Sequence, residues 1–268
     1  EHFESVAFPS IRKAMAEFDE YAVIESVINR ELKIQEQLGP SILKTGHSIF
    51  RFPGFRYGTY GYVNYFMAYG LYPEIIEQDF KLTADLAALQ NAAAVRAFKQ
   101  ASLPPLHRLD HDMADSRGTL TDIKSLDRIW FPHFARALAP VLESPIKLLW
   151  HCDGNLMQMV PRLLEVGLDG FQGFQYEDGM DYEKICNMKT GEGESLIVMA
   201  GVSVTTTLPS GGPKDVKAEI DWLVEKGPAT GLILMTSSSA APGVPWKNIE
   251  TMLEGFKYYR EHGRSTPR

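Results

Sequence analysis

Ile146-Lys147-Leu148-Leu149-Trp150-His151-Cys152-Asp153-Gly154-Asn155 decides how the rest of the chain is read. Five residues, four of them apolar, run without polar alternation and stop at an imidazole, a thiol, a carboxyl group and a glycine. A continuous apolar run of this length suits a strand buried on both faces, as in a parallel sheet. The polar cluster then falls at the strand's C-terminal end, the edge that carries ligands in α/β proteins.

Five further runs have the same form: Ile42–Ile49, Pro104–Asp112, Leu168–Phe174, Leu196–Val202 and Gly231–Met235. Between them lie helical patterns. Pro73–Ala101 opens on Pro-Glu, a favourable first turn. Thr121–Leu142 is capped at Thr121 or Asp122, and Pro132 must break or kink it. Leu156–Val166 ends at Gly167, with Asn155 as its cap. Pro213–Lys226 and Trp246–Tyr259 each repeat apolar residues at helical spacing, and Ile11–Leu38 reads as one or two helices. Strand–helix alternation over six units predicts a parallel α/β fold with right-handed crossovers. A barrel needs eight strands, and six are counted. A doubly wound sheet is the other architecture, but no glycine-rich nucleotide loop is present. The chain begins Glu-His-Phe without Met, which reads as a trimmed piece of something longer.

Composition narrows the function. The chain has 268 residues, 44% hydrophobic and 23% charged, which excludes a disordered or fibrous chain. A formal charge of −7 argues against a nucleic-acid or anionic-membrane surface. Two cysteines, Cys152 and Cys186, are too few for a disulfide framework, and no apolar run is long enough to span a membrane, so a cytoplasmic protein is expected.

The hydrogen-bonding side chains gather at strand ends. Asp110, His111 and Asp112 follow one strand, and His151 and Asp153 another. Gln172, Gln175 and Glu177, then Ser203 and Thr205, then Thr236–Ser239 follow the rest. His151 and Asp153, two apart, point the same way if the strand continues. Such a pair binds a divalent metal or works as a general acid and base; the structural alternative is a histidine satisfied by its neighbour. His111 and Asp112 form a second cluster with the same two readings. Phe50–Phe66 holds eight aromatics and two arginines among glycines. With Arg51, Arg56 and Tyr57 it either walls a pocket for a flat, anionic ligand or packs as an aromatic hairpin or lid.

From Leu109 to Tyr259 the chain resembles the uroporphyrinogen decarboxylase superfamily, which includes corrinoid-dependent methyltransferases. His111-Asp112-Met113-Ala114-Asp115-Ser116-Arg117-Gly118 is similar to that family's Asp-Asp…Arg-Gly strand end, with His111 in place of the first Asp. His151-Cys152-Asp153-Gly154-Asn155 resembles its His-x-Asp/Cys-Gly-Asn motif. Gly167-Leu168-Asp169, then Gln175 to Asp181, resembles its Gly-Val-Asp…Pro-Glu-x-Gly-Met-Asp run. Pro242-Gly243-Val244-Pro245-Trp246-Lys247-Asn248-Ile249 is similar to its closing motif. The resemblance implies a TIM (β/α)8 barrel in a single domain over 1–268 that lacks its first strands and is atypical over residues 1–70, with His111, Asp112, His151 and Asp153 as catalytic residues. It implies substrate contacts from Gln175, Arg117 and Ser238; Arg51, Arg56 and Tyr57 are expected as substrate contacts from the aromatic segment instead. Zn²⁺ would be held by His151, Asp153 and Glu177.

The implied activity is transfer of a methyl group from a small methylated substrate, such as an O-methyl aromatic, to a corrinoid on a partner protein. A homodimer is also among the expected partners. The decarboxylases carry an arginine-rich N-terminal motif with no counterpart here, which sets decarboxylation second. The thiol-methylating zinc members use His-x-Cys and a late Cys, where this chain has His151, Asp153 and Ser238. A barrel that has lost its chemistry and now binds a ligand is the third reading.

Overall fold

A computed structural model describes residues 1–151 and 153–264. Cys152 lies outside the described residues. The chain divides into two compact units. The first comprises Glu1–His111 and Thr121–Leu148, the second Asp112–Leu120 and the chain from Leu149 onward.

The first unit is mostly helical. After a π-helical turn at Phe3–Ala7 come α1 (Phe8–Ala16) and α2 (Glu20–Leu38). Asp19 caps α2 by accepting from the Ala22 amide at 3.1 Å, and α2 ends at Gly39, whose φ of 74° a side chain would resist. Strand β1 (Gly46–His47) pairs in parallel with β2 (Leu106–Asp110). Between them run α3 (Tyr57–Tyr60), α4 (Tyr62–Leu71) and the long α5 (Pro73–Gln100). α6 (Ile123–Ile129) and α7 (Phe131–Leu142) complete the unit.

Alanines let the helices of this unit approach closely. Ala93 and Ala97 of α5 pack on Ile24 of α2, and Ala84 and Ala87 pack on Ala137 of α7. The break expected at Pro132 falls at Trp130, with Pro132 in the first turn of α7, where a missing N–H costs nothing. Asp122 is the cap of α6, its carboxylate accepting from the Ser125 amide.

The second unit carries the rest of the parallel sheet. Its hairpin β3 (Ala114–Asp115) and β4 (Gly118–Thr119) is antiparallel. Strand β5 (Lys147–His151) enters it from Leu149. β5 pairs with β6 (Gly170–Gln172), β6 with β7 (Ile197–Val202) and β7 with β8 (Leu232–Thr236), all parallel. The helices are α8 (Val160–Val166), α9 (Tyr182–Cys186), α10 (Thr207–Ser210), α11 (Pro213–Lys226) and α12 (Trp246–His262). Val216 and Ile220 of α11 and Met252 of α12 meet Val202 and Leu208 in one apolar cluster.

All six expected strands are present, β1 and β2 parallel in the first unit and β5 to β8 parallel in the second, and the α/β architecture stands. A closed eight-stranded barrel is not formed among the described residues, because two of its strands have no counterpart there. Three local expectations change. Ile42–Ile49 is a loop with a two-residue strand, because Gln35 takes over its backbone groups: the Gln35 amide donates to the Gly39 and Ile42 carbonyls and accepts from the Lys44 amide. Phe50–Phe66 contains no hairpin; it is coil to Arg56, then α3 and the start of α4. Asn155 does not cap α8, which begins at Val160; its Oδ1 accepts from the Met157 amide at 3.2 Å in a local turn.

His107, wholly buried on β2, holds the first unit's β1–α3 loop. Its Nε2 accepts from the Ile49 amide at 3.1 Å and the Phe50 amide at 3.4 Å. Burial, reinforced by the nearby His47, Lys44, Arg30 and Arg108 charges, drives its proton affinity down to about 3 from the usual 6.5. The unfolded chain therefore binds a proton near pH 6.5 that the folded chain refuses, so stability is full above that pH and is lost on acidification toward pH 3. Replacing His107 by Gln, which keeps an acceptor but does not titrate, is expected to flatten this dependence. Urea unfolding at pH 4 to 7 should show the wild type losing up to about 1 kcal/mol per pH unit more than the variant. Parallel stability curves for the two proteins would disprove the assignment.

Candidate functional site

At the C-terminal end of β5, His151 stands opposite Gln172 of β6 in the parallel register. Its side chain is nearly buried, and Nδ1 lies 3.0 Å from the Gln172 carbonyl oxygen. A carbonyl only accepts, so Nδ1 carries the proton and donates it there. Nε2 is left with its lone pair, 3.9 Å from Oδ1 of Asp153. The two side chains do face the same way.

Asp112 joins them from the start of the β3 segment. A carboxylate oxygen of Asp112 lies within 4.8 Å of a His151 ring nitrogen. Oδ1 of Asp112 also accepts from the Asp153 amide at 3.3 Å, which ties the two acidic residues together through the backbone. Ser238, beyond β8, donates from Oγ to Oδ2 of Asp153 at 3.3 Å.

The turn after Asp153 depends on close backbone approach. Gly154 has a φ of +85°, and a Cβ there would stand 2.6 Å from the Asp115 carbonyl oxygen. Its amide donates to Oε1 of Gln175 at 2.6 Å, and the Asn155 amide donates to that Asp115 carbonyl at 2.8 Å. Gln175 thus binds the loop that carries Asp153. Arg117 belongs to the same hairpin. Its guanidinium and amide both engage Asp115, at 2.8 Å each, and hold that carboxyl below the usual carboxylate range.

Glu177 sits elsewhere in the second unit's polar groups. Its Oε1 accepts from Oγ of Ser203 at 3.1 Å, while the Ser203 amide donates to Glu219 at 2.9 Å. Burial pushes the Glu219 carboxyl up; bonds from Thr207 and the Ser203 amide pull it down, and the Glu177 charge adds to the rise. Among the described residues, neither Asp153 nor Glu177 belongs to a group of three ligand atoms mutually within 4.8 Å. Sequence reasoning passed over Glu219, which stands mid-helix in α11 far from any strand end in sequence, and the Gln172 carbonyl, which no side-chain pattern can signal.

The remaining predicted residues belong to the first unit. Nε2 of His111 accepts from the Phe55 amide at 2.7 Å, and the Tyr57 ring stacks on the imidazole at 5.8 Å between centroids. His111 is therefore an anchor of the aromatic segment, with its basic nitrogen already used. Arg56 makes a forked pair with Asp79, at 2.7 and 2.8 Å, and reaches Thr83. Burial raises the Asp79 carboxyl, and the Arg56 charge and hydrogen bonds oppose that rise. An arginine committed to a buried carboxylate has little left for a ligand. Arg51 differs: Asn91 holds its backbone, and its guanidinium makes no hydrogen bond or ion pair among the described residues.

The fold and the polar groups at its strand ends define a parallel α/β protein with an imidazole–carboxylate site of the kind enzymes use. Its fold is similar to that of a methyltransferase from Methanosarcina mazei, at a TM-score of 0.63 and 18% sequence identity. The match covers 89% of this chain and 64% of that one. No protein-family model and no curated protein matches the sequence. No helix among the described residues is long and apolar enough to cross a membrane.

Gly173 tests the placement of His151. Its φ is +81°, and a Cβ would lie 2.8 Å from Nδ1 of His151 and 3.1 Å from the Ser237 carbonyl. Gly173→Ala should cost roughly 1–3 kcal/mol and push the ring off the Gln172 carbonyl. Urea unfolding and the His151 ring resonances would report both; an unshifted imidazole signal would mean the contact is not what positions it.

Proposed function

We propose that the protein is a methyltransferase that takes the methyl group of a small methylated substrate, such as an O-methyl aromatic, and passes it to a corrinoid carried by a partner protein. The observation that carries the reading is the approach of Asp112 and of Asp153, each in turn, to the His151 ring at the end of β5, in a fold similar to that of a methyltransferase.

The donor set fits a divalent cation. The Nδ1–H of His151 is spent on a backbone carbonyl, the arrangement that orients metal-ligating histidines and leaves Nε2 for the ion. Two carboxylates lie near that ring, and the donors are nitrogen and oxygen, which Zn²⁺ accepts. His151 and Asp112 would hold the ion, with Asp153 beside the ring; Glu177, engaged by Ser203, is less suited. When bound, such an ion supplies Lewis acidity toward a substrate oxygen.

The chain's own residues do the rest. In the transfer the methyl–oxygen bond breaks, the oxygen keeps the electron pair, and the methyl goes to the corrinoid acceptor. Asp112 holds the Asp153 amide, Ser238 holds Oδ2 of Asp153, and Gln175 holds the Gly154 amide. Together these bonds keep the loop from turning its carboxylate away from His151, which is the preorganisation a positioned site needs. Decarboxylation gains no support, since Arg56 is committed to Asp79 rather than available for substrate carboxylates.

Metal analysis tests the proposal. The purified protein should take up about one Zn²⁺ per chain. His151→Ala and Asp112→Asn should each weaken its binding by at least about tenfold, by chelator competition. A wild-type protein that holds no stoichiometric divalent metal, or variants that hold it as tightly, would remove the Lewis-acid role. Methyl transfer from an O-methyl aromatic to a free corrinoid, with no CO₂ released, would separate this reading from a decarboxylase.

A further inference from the structure

A cavity of about 310 Å³ lies in the first unit between α2, the loop after β1 and α5. Val23, Val27, Ile49 and Ala94 contribute apolar surface to it. Arg30 and Arg51 stand in its wall with Ser26 and Gln90, and no Asp or Glu lines it. In a chain of formal charge −7, a pocket with two arginines and no acid is a local inversion of the overall field.

Arg51 is held for this position. Oδ1 of Asn91, wholly buried on α5, accepts from the Arg51 amide at 2.7 Å. Nδ2 of Asn91 donates to the Arg51 carbonyl at 2.8 Å and to the Ala137 carbonyl at 2.7 Å. The backbone just before it is pinned by His107, through Ile49 and Phe50. A loop fastened this thoroughly carries a guanidinium with no partner among the described residues. Arg30 gives its Nε to Glu31 at 3.1 Å, and Lys44 engages the same carboxylate, so the group Arg30, Glu31, Lys44 and Arg51 keeps an excess of positive charge. Neither Ser26 nor Gln90 has a side-chain hydrogen bond among the described residues.

We propose that this cavity binds a small organic anion, a carboxylate on a short apolar body. Arg51 pairs with the carboxylate, whose two oxygens match the guanidinium fork. The apolar body covers Val23, Val27 and Ile49, which an inorganic ion would leave wet. The volume is at the lower end of small-molecule sites, which limits the body to about the size of a six-carbon chain or a single ring. This site does not rest on the methyl-transfer reading, since none of its residues belongs to the β5 cluster.

Titration of the full chain with hexanoate, hexanol and inorganic phosphate, followed by calorimetry and by ligand-observed NMR, decides the matter. Hexanoate should bind saturably, one per chain, at least tenfold tighter than hexanol or phosphate, with contacts to the Val27 and Ile49 methyl groups. Arg51→Gln should weaken hexanoate at least tenfold while leaving the unfolding curve unchanged, because the guanidinium makes no internal bond. Ser26→Glu, on an exposed position of α2, places a competing carboxylate in the pocket and should do the same. The second variant decides if the first fails to fold. Equal affinity for hexanoate and hexanol, equal affinity for hexanoate and phosphate, or hexanoate binding indifferent to a well-folded variant would each overturn the proposal.

Discussion

A parallel strand that ends at its C-terminal edge leaves backbone amides that no neighbouring strand accepts, and once buried they must find acceptors or cost the fold a few kcal/mol each. That constraint organises both units. In the first, His107 accepts from Ile49 and Phe50, Asn91 from Arg51 and His111 from Phe55. In the second, Asp112 accepts from Asp153, Gln175 from Gly154, Glu219 from Ser203 and Ser237 from Val204. The loops at these edges are held by side chains, and what is left unspent is what chemistry has to work with.

The same constraint explains why the strands were legible in the sequence and half of the site was not. Leu196–Val202 and Ile146–Trp150 are apolar on both faces, so their strand character survives any context. Polar residues at strand ends carry a double meaning. His111 and His151 look alike as letters, each following a strand and each near a carboxyl group. In the structure, Nε2 of His111 is consumed by an amide, whereas His151 uses Nδ1 for a carbonyl and keeps Nε2. The difference rests on which ring nitrogen meets the backbone, and one-dimensional spacing holds no trace of it. Arg51 and Arg56, five apart in one aromatic run, divide in the same way: Asp79, a full helix-turn pattern away on α5, claims one and leaves the other. The hairpin at Ala114–Thr119 escaped notice because its strands are two residues long, too short to show any period.

Capping was read better where the cap acts locally. Asp122 and Gly167 function as their positions suggest, since a cap needs only the next turn of the same helix. Asn155 does not, because its amide is bound to the Asp115 carbonyl and the Gly154 amide to Gln175, which postpones the helix to Val160. A tertiary contact overrides a local preference here at modest cost, and the stretch between serves as the loop that carries Asp153.

Whether a strand-end group is structural or chemical therefore follows from counting its hydrogen-bonding capacity against its backbone obligations. A carboxylate has about four acceptor sites. Asp112 accepts from the Asp153 amide while one of its carboxylate oxygens lies within 4.8 Å of a His151 ring nitrogen. A neutral imidazole has a single acceptor nitrogen, so His111 cannot both anchor Phe55 and serve as a base or ligand through Nε2. Gln175 spends its carbonyl oxygen on Gly154 and keeps an amide nitrogen that only donates, which suits it to contact an oxygen of a substrate and not to take its proton. Ranked this way, His151 keeps Nε2 in the second unit and Arg51 keeps its guanidinium in the first. Those are the two places where ligand chemistry has room to act.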